Sequence, residues 1–292
     1  MAVSVGTIHS SPNIGTIAGT VAWLVPLTLG GDGTVNAVVR LTMQSSPRAT
    51  VVFIAGTNAV DFVSESSPGG LALLRSFAAA GYSVIELAFA KPNGWFWFGK
   101  SIRVRAERGA ELLRYIRSMW GTGTFIVVGN SGGAGLGAYA LAHYGAESYI
   151  DMLVSCSGPP MSRLDQACGT PSAWLQAEAA RLLPPGTFDV PLVLMHSPNG
   201  AVCPVLSGTT APTQLQSSIL ASDAVLSYAT THVEFLFGSL SGTAAELHGA
   251  MYHDAVQSSK RLTIVSGAYH QLYENQVGQD AILAAVDGFL GS

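Results

Sequence analysis

"FIVVGNSGGAGLGAYAL", residues 125–141, decides the fold. The apolar run Phe125-Ile126-Val127-Val128 enters Gly129-Asn130-Ser131-Gly132-Gly133 directly, and small residues then lead into a helical pattern over about 133–144. A continuous apolar run ending at glycine reads as a strand buried on both faces. A serine between such a strand and a helix sits on a sharp turn, where small residues are needed two positions before and two after it because the backbone passes too close for a side chain. Gly129 and Gly133 fill those positions. The helix start after Ser131 also offers unpaired N–H groups and positive potential, suited to negative charge developing on an oxygen. A phosphate-binding loop is the competing reading of "GNSGGAGLG", but no Lys-Ser/Thr pair follows it.

Working outward, "TVVFIAG" (50–56) and "YSVIELAFA" (82–90) are further buried-strand runs, and "GGLALLRSFAAAG" (69–81) between them reads as a helix closed by Gly81. In "GKSIRVRAERGAELLRYIRSMWG" (99–121), Ile102, Ala106, Ala110, Leu113 and Ile116 recur at helical spacing, with Arg103, Glu107 and Arg114 off that stripe. "YIDMLVSCSG" (149–158), "VPLVLMHS" (190–197), "HVEFLFG" (232–238) and "KRLTIVSGAYH" (260–270) read as strands, and "AAELHGAMYHDAVQ" (244–257) and "QDAILAAVDGFL" (279–290) as helices. "TVAWLVPLTL" and "VNAVVRLTM" flank Gly30-Gly31-Asp32-Gly33 and predict a hairpin, an antiparallel edge to the rest. Strands alternating with helices predict an α/β class: a mostly parallel sheet with helices on both faces. The rhythm breaks over 159–189, where Pro159-Pro160, Pro171 and Pro184-Pro185 surround a short helical stretch. That segment reads as a cap or lid inserted between core segments 1–158 and 190–292, with 200–230 a candidate further insertion.

Hydrophobic residues make up 48% of the 292 and charged residues 11%, enough for a large core. The net charge is −4 and no basic stripe occurs, which argues against a nucleic-acid partner. Cys156, Cys168 and Cys203 lack metal-ligand spacing, so neither a zinc site nor a disulfide framework is expected. The apolar N-terminus lacks a basic region and is interrupted by Asn13 and Pro26, so neither a signal peptide nor a membrane span is expected, and a cytoplasmic location is the default.

The elbow "GNSGG" after a buried strand, together with the histidine that ends "IVSGAYH", resembles the α/β-hydrolase superfamily over roughly residues 20–290. The resemblance implies that Ser131 is a nucleophile and that His270, just past the last strand, is its base. A serine hydroxyl attacks poorly unless an imidazole within reach takes its proton. His196 is the main competitor for that role. The resemblance also implies an oxyanion hole made by the backbone N–H groups of Gly132 and Thr57, with Ala55-Gly56 in place of the usual His-Gly. No metal or organic cofactor is implied.

The triad acid is missing from its aligned places: Gly200 and Ser241 stand where an aspartate is expected. Asp165, Glu234, Glu246 or Asp223 reaching His270 from an unusual place, a neutral partner such as Asn199 or Ser241, a dyad, and a non-catalytic binding protein all stay open. "KPNGWFWFGK" (91–100) puts Trp95 and Trp97 in a loop after a strand end and, with Asn58, offers a candidate substrate pocket. The expectation is a serine hydrolase acting on a carboxylic ester or related acyl bond of a hydrophobic small molecule. Lyase, lactonase or acyl-transfer chemistry on the same scaffold is the alternative.

Overall fold

The computed structural model describes residues 3–10, 20–30, 35–56, 68–89, 102–130, 132–157, 232–238, 259–269 and 271–291. In chain order its strands are β1 (Val3–Val5), β2 (His9–Ser10), β3 (Thr20–Leu29), β4 (Val35–Gln44), β5 (Thr50–Ile54), β6 (Ser83–Phe89), β7 (Phe125–Asn130), β8 (Met152–Cys156), β9 (His232–Gly238) and β10 (Lys260–Val265). Its helices are α1 (Pro68–Ala79), α2 (Ile102–Trp120), α3 (Gly132–His143) and α4 (Gln276–Gly291). The strands form one sheet in the order β1-β3-β4-β6-β5-β7-β8-β9-β10, with β2 also pairing β3.

From β6 to β10 in that order every pair is parallel. The hairpin β3–β4 joins β6 antiparallel, as its turn glycines predict. Every residue of β5, β6 and β7 is buried, which is why their sequences carry no alternation. Val51, Phe53, Ile126, Val128, Met152, Val154 and Cys156 face α1 and α4, whose Leu73, Phe77, Ile282 and Val286 complete that half of the core. Val52, Ile54, Phe125, Val127 and Leu153 face α2 and α3, where Leu112, Leu113, Ile116, Leu136 and Leu141 cover them. This is the α/β architecture expected, and it turns the carboxyl ends of β5, β7 and β8 to one edge of the sheet.

Three details differ from the sequence reading. The strand expected over 149–158 starts at Met152: a 3-10 turn, Ala146–Ser148, comes first, and the Phe125 N–H donates to the Asp151 carboxylate at 2.7 Å. The final strand ends at Val265, before Gly267 turns the chain with φ +80°. His9 lies in β2 opposite Leu24, in a stretch where the sequence reading named no strand. A two-residue strand carries no periodicity, so only its pairing reveals it. The cap at 159–189, the candidate insertion at 200–230, the strand expected at 190–197 and the helix expected at 244–257 lie outside the described residues.

Candidate functional site

β7 ends at Asn130 and α3 begins at Gly132, so a single sequence position separates strand from helix. Both flanking glycines are there because nothing larger fits. A Cβ on Gly129 would stand 2.5 Å from the Ala134 nitrogen and 2.5 Å from the Gly133 carbonyl carbon. A Cβ on Gly133 would collide with the carbonyl oxygen of Ile54 and lie 2.8 Å from that of Ala55. All of these are backbone atoms, which no rotamer change can move aside. The first turn of α3 is therefore wedged against the ends of two parallel strands at once. Ala55 and Gly56 continue β5 as buried chain, so the segment leading to Thr57 runs beside the start of α3.

The loop after β10 is the second segment that the sequence reading assigned to the site. Ala268 is fully buried, Tyr269 is half exposed, and Leu272 and Tyr273 are buried in a 3-10 turn, Leu272–Glu274. Asn275 fastens this loop from both sides: its Nδ2 donates to the Gly267 carbonyl at 2.8 Å, and its Oδ1 accepts the Gly278 N–H at 3.0 Å, capping α4. Gln279 donates from Nε2 to the Tyr273 carbonyl at 2.9 Å and to the Gly69 carbonyl at 3.3 Å. Gly69, at the start of α1, carries no side chain because a Cβ there would strike the Tyr273 carbonyl oxygen. The loop that holds position 270 is thus seated on the helix that follows β5.

Among the sequence candidates, Gly132 is the first residue of α3 and Glu234 is the third residue of β9, in register with Val154 on one side and Arg261 on the other. Glu234 is therefore a mid-strand position, two residues below Leu236, which pairs Cys156 at the carboxyl edge. Ser131, His270, Thr57, Asn58, Trp95, Trp97, Asp165, Asp223, Glu246, His196, Asn199 and Ser241 lie outside the described residues.

The structure adds polar residues that the sequence reading passed over. Asn130 is 1% exposed, and neither its Oδ1 nor its Nδ2 has a hydrogen-bond partner. Ser157, just past the end of β8, is 4% exposed, holds a left-handed φ of +48°, donates its N–H to the Leu236 carbonyl at 2.7 Å and leaves its hydroxyl unpartnered. A polar residue closing an otherwise apolar run, as in "FIVVGN" and "MLVSCS", was the available signal. Arg108 is buried on α2 and donates from Nη1 to the Gly30 carbonyl at 3.3 Å, tying that helix to the end of β3. Among the described residues no group of three or more His, Cys, Asp and Glu side chains could hold a metal ion, and no helix is long and apolar enough to cross a membrane.

No protein-family profile matches the sequence, and no curated protein matches it. Solved structures do resemble it. Dienelactone hydrolase from Anabaena variabilis is 14% identical with a TM-score of 0.55, over 92% of this chain and 95% of that one. Acetyl xylan esterase 1 from Thermoanaerobacterium is 13% identical with a TM-score of 0.59, over 100% of this chain and 89% of that one. Alpha/beta hydrolase domain-containing protein 10 from mouse is 12% identical with a TM-score of 0.54, over 91% and 98%. The sheet order and these likenesses agree: the chain has the fold of the α/β hydrolases.

Proposed function

We propose that the chain is a serine hydrolase that cleaves a carboxylic ester or related acyl bond of a hydrophobic small molecule. The observation that carries this reading is the steric demand for glycine at both 129 and 133. A turn so tight, between a buried strand and a helix N-terminus, is what lifts a single side chain out of a sheet. Two of the similar structures bear the names of a hydrolase and an esterase, which favours hydrolysis over lyase or acyl-transfer outcomes.

In this reading the Ser131 oxygen bonds to the acyl carbon while His270 takes its proton. The N–H groups of Gly132 and Thr57 hold the oxyanion, and the collapse of that adduct breaks the ester bond as His270 returns the proton to the departing alkoxide. Water then attacks the acyl-enzyme, with His270 again as base, and releases the carboxylic acid. Trp95, Trp97 and Asn58 would line the acyl pocket. The acid, if one exists, would come from Asp165, Asp223, Glu234 or Glu246. Losing only an orienting acid typically costs about 10⁴-fold in kcat and leaves nucleophile and oxyanion hole in place.

The test is a fluorophosphonate probe followed by peptide mapping. Folded protein labels at Ser131, the His270→Ala variant labels far more slowly, and short-chain p-nitrophenyl esters give a burst that Ser131→Ala lacks. A folded protein that resists the probe at Ser131 overturns the reading and leaves a binding protein on the same scaffold. An acyl-chain-length series then identifies the substrate class.

A further inference from the structure

Among the described strands the sheet ends in β10 on one side and in β1 and β2 on the other, and the two ends are built differently. β10 opens with Lys260 and Arg261, and charge on an outer strand discourages pairing with a second chain. β1 and β2 both lie against β3. From Val3 to Ser10 the chain carries no lysine, arginine, aspartate, glutamate or proline. Residues 4–9 are exposed, Val5 to 43% and Ile8 to 54%. An exposed, uncharged, partly apolar edge is a template for the addition of a further strand.

The registers show what interrupts this edge. Val5 lies opposite Leu27, whereas His9 lies opposite Leu24. Three residues of the outer chain, Gly6, Thr7 and Ile8, therefore span the length of two on β3, Val25 and Pro26. One residue is extra, which makes a β-bulge. On its inner side β3 pairs β4 residue for residue, from Thr20 opposite Gln44 to Leu29 opposite Val35, so the irregularity belongs to the outer chain. Pro26 sits at the same place. Its carbonyl accepts the Gly6 N–H at 2.9 Å, and a strand residue turns its N–H and C=O toward the same neighbour. The donor that proline lacks would have pointed at the outer chain, so Pro26 leaves the β3–β4 ladder whole and weakens only the edge. A bulge also bends the strand that carries it and increases its twist. What remains regular is short: β1 has three residues and β2 has two.

We infer that the extra residue within Gly6–Ile8 and the proline opposite it form one device, which keeps this outer edge from pairing with the same edge of a second copy of the chain. A second copy is the partner to exclude, because a two-fold axis sets two identical edge strands antiparallel and needs no other protein. The device guards by shape an end of the sheet that has no charge to guard it. It is independent of the chemistry proposed for Ser131.

Removing the device tests it. Deletion of Ile8 leaves two residues opposite two and keeps Val5 and His9 against their present partners, while Pro26→Val returns the missing donor. The whole chain carrying both changes is compared with wild type by light scattering over a dilution series. Ser4→Cys, added to each, reports edge contact as a disulfide between copies mapped to position 4. Wild type is expected not to crosslink there. The double variant is expected to crosslink and to self-associate at least about tenfold more tightly than wild type. Adding Val5→Lys to it is expected to restore wild-type behaviour, since a lysine on the edge opposes pairing. A folded double variant that associates no more tightly than wild type overturns the inference. So does association that neither crosslinks at position 4 nor responds to Val5→Lys, and so does a wild type that crosslinks there, because the edge is then an interface. If the double variant does not fold, the Ile8 deletion alone and Pro26→Val alone are read by the same two signals, and a folded single variant that shows neither signal overturns the inference.

Discussion

Gly133 and Ile54 meet backbone to backbone: a methyl group on Gly133 would occupy the space of the Ile54 carbonyl oxygen. That contact fixes the start of α3 against the end of β5. Gly133→Ala is expected to destabilise the fold by about 3 kcal/mol, lowering the thermal midpoint by roughly 6 °C or more. Gly137→Ala serves as the control, because its Cβ would meet the Leu153 Cδ1 methyl at 2.7 Å, and a side chain can give way. Thermal melts of the two variants check the ranking. Equal melting temperatures would mean that the elbow has slack.

Asn275 separates stability from activity. Its Oδ1 caps α4 while its Nδ2 holds the Gly267 carbonyl. Asn275→Asp keeps the acceptor, and its charge suits a helix N-terminus. It loses only the donor to the loop. The expected result is a melting point near wild type with a fall in kcat and little change in KM. Asn275→Ala loses both and should also cost about 1 kcal/mol of stability. Steady-state kinetics beside urea titrations distinguish the two.

Arg40 and Glu86 form an ion pair of 2.6 Å between β4 and β6, with the Glu86 side chain fully buried. Removing one member takes a close opposite charge away from the other. Glu86→Ala is expected to lose about 3–5 kcal/mol. The double change Arg40→Leu with Glu86→Leu is expected to recover much of that, since apolar packing often replaces a buried pair. Urea midpoints of the single and double variants measure it.

Alkaline stability follows from two tyrosines. Burial, then the hydrogen bond to Asp287, hold the Tyr82 hydroxyl above the ordinary tyrosine range, and burial does the same for Tyr149. The unfolded chain releases these protons near pH 10, before the folded chain does. Above that pH the unfolded state binds fewer protons, so stability is complete below about pH 10 and falls as pH rises. Urea midpoints between about pH 9 and 11 should decline, and less steeply for the variant with phenylalanine at both positions.

Much of this was legible in the chain. The runs "TVVFI", "SVIELAF" and "FIVVG" announced strands buried on both faces, because such strands carry no alternation to hide. Gly129 and Gly133 were legible as steric necessities of a tight turn. The two- and three-residue strands β2 and β1 were not, since their only signature is pairing with β3. Nor were Asn130 and Ser157, because whether a polar group finds a partner depends on what three other segments place around it. Arg108 was hidden for the same reason: helical spacing marks the apolar stripe but cannot foresee that the end of β3 will cover a guanidinium.

From β7 onward, spatial order in the sheet is also the order of synthesis among the described strands: β8, β9 and β10 each lie beside the described strand made just before. A nascent chain can therefore lay these strands down one at a time, each on a template already present. Until β10 docks, the growing sheet ends in an unpaired edge, the exposure most prone to wrong association. On the serine-hydrolase reading, position 270 lies after β10 in the chain, so its base is synthesised only once all the described strands have been made.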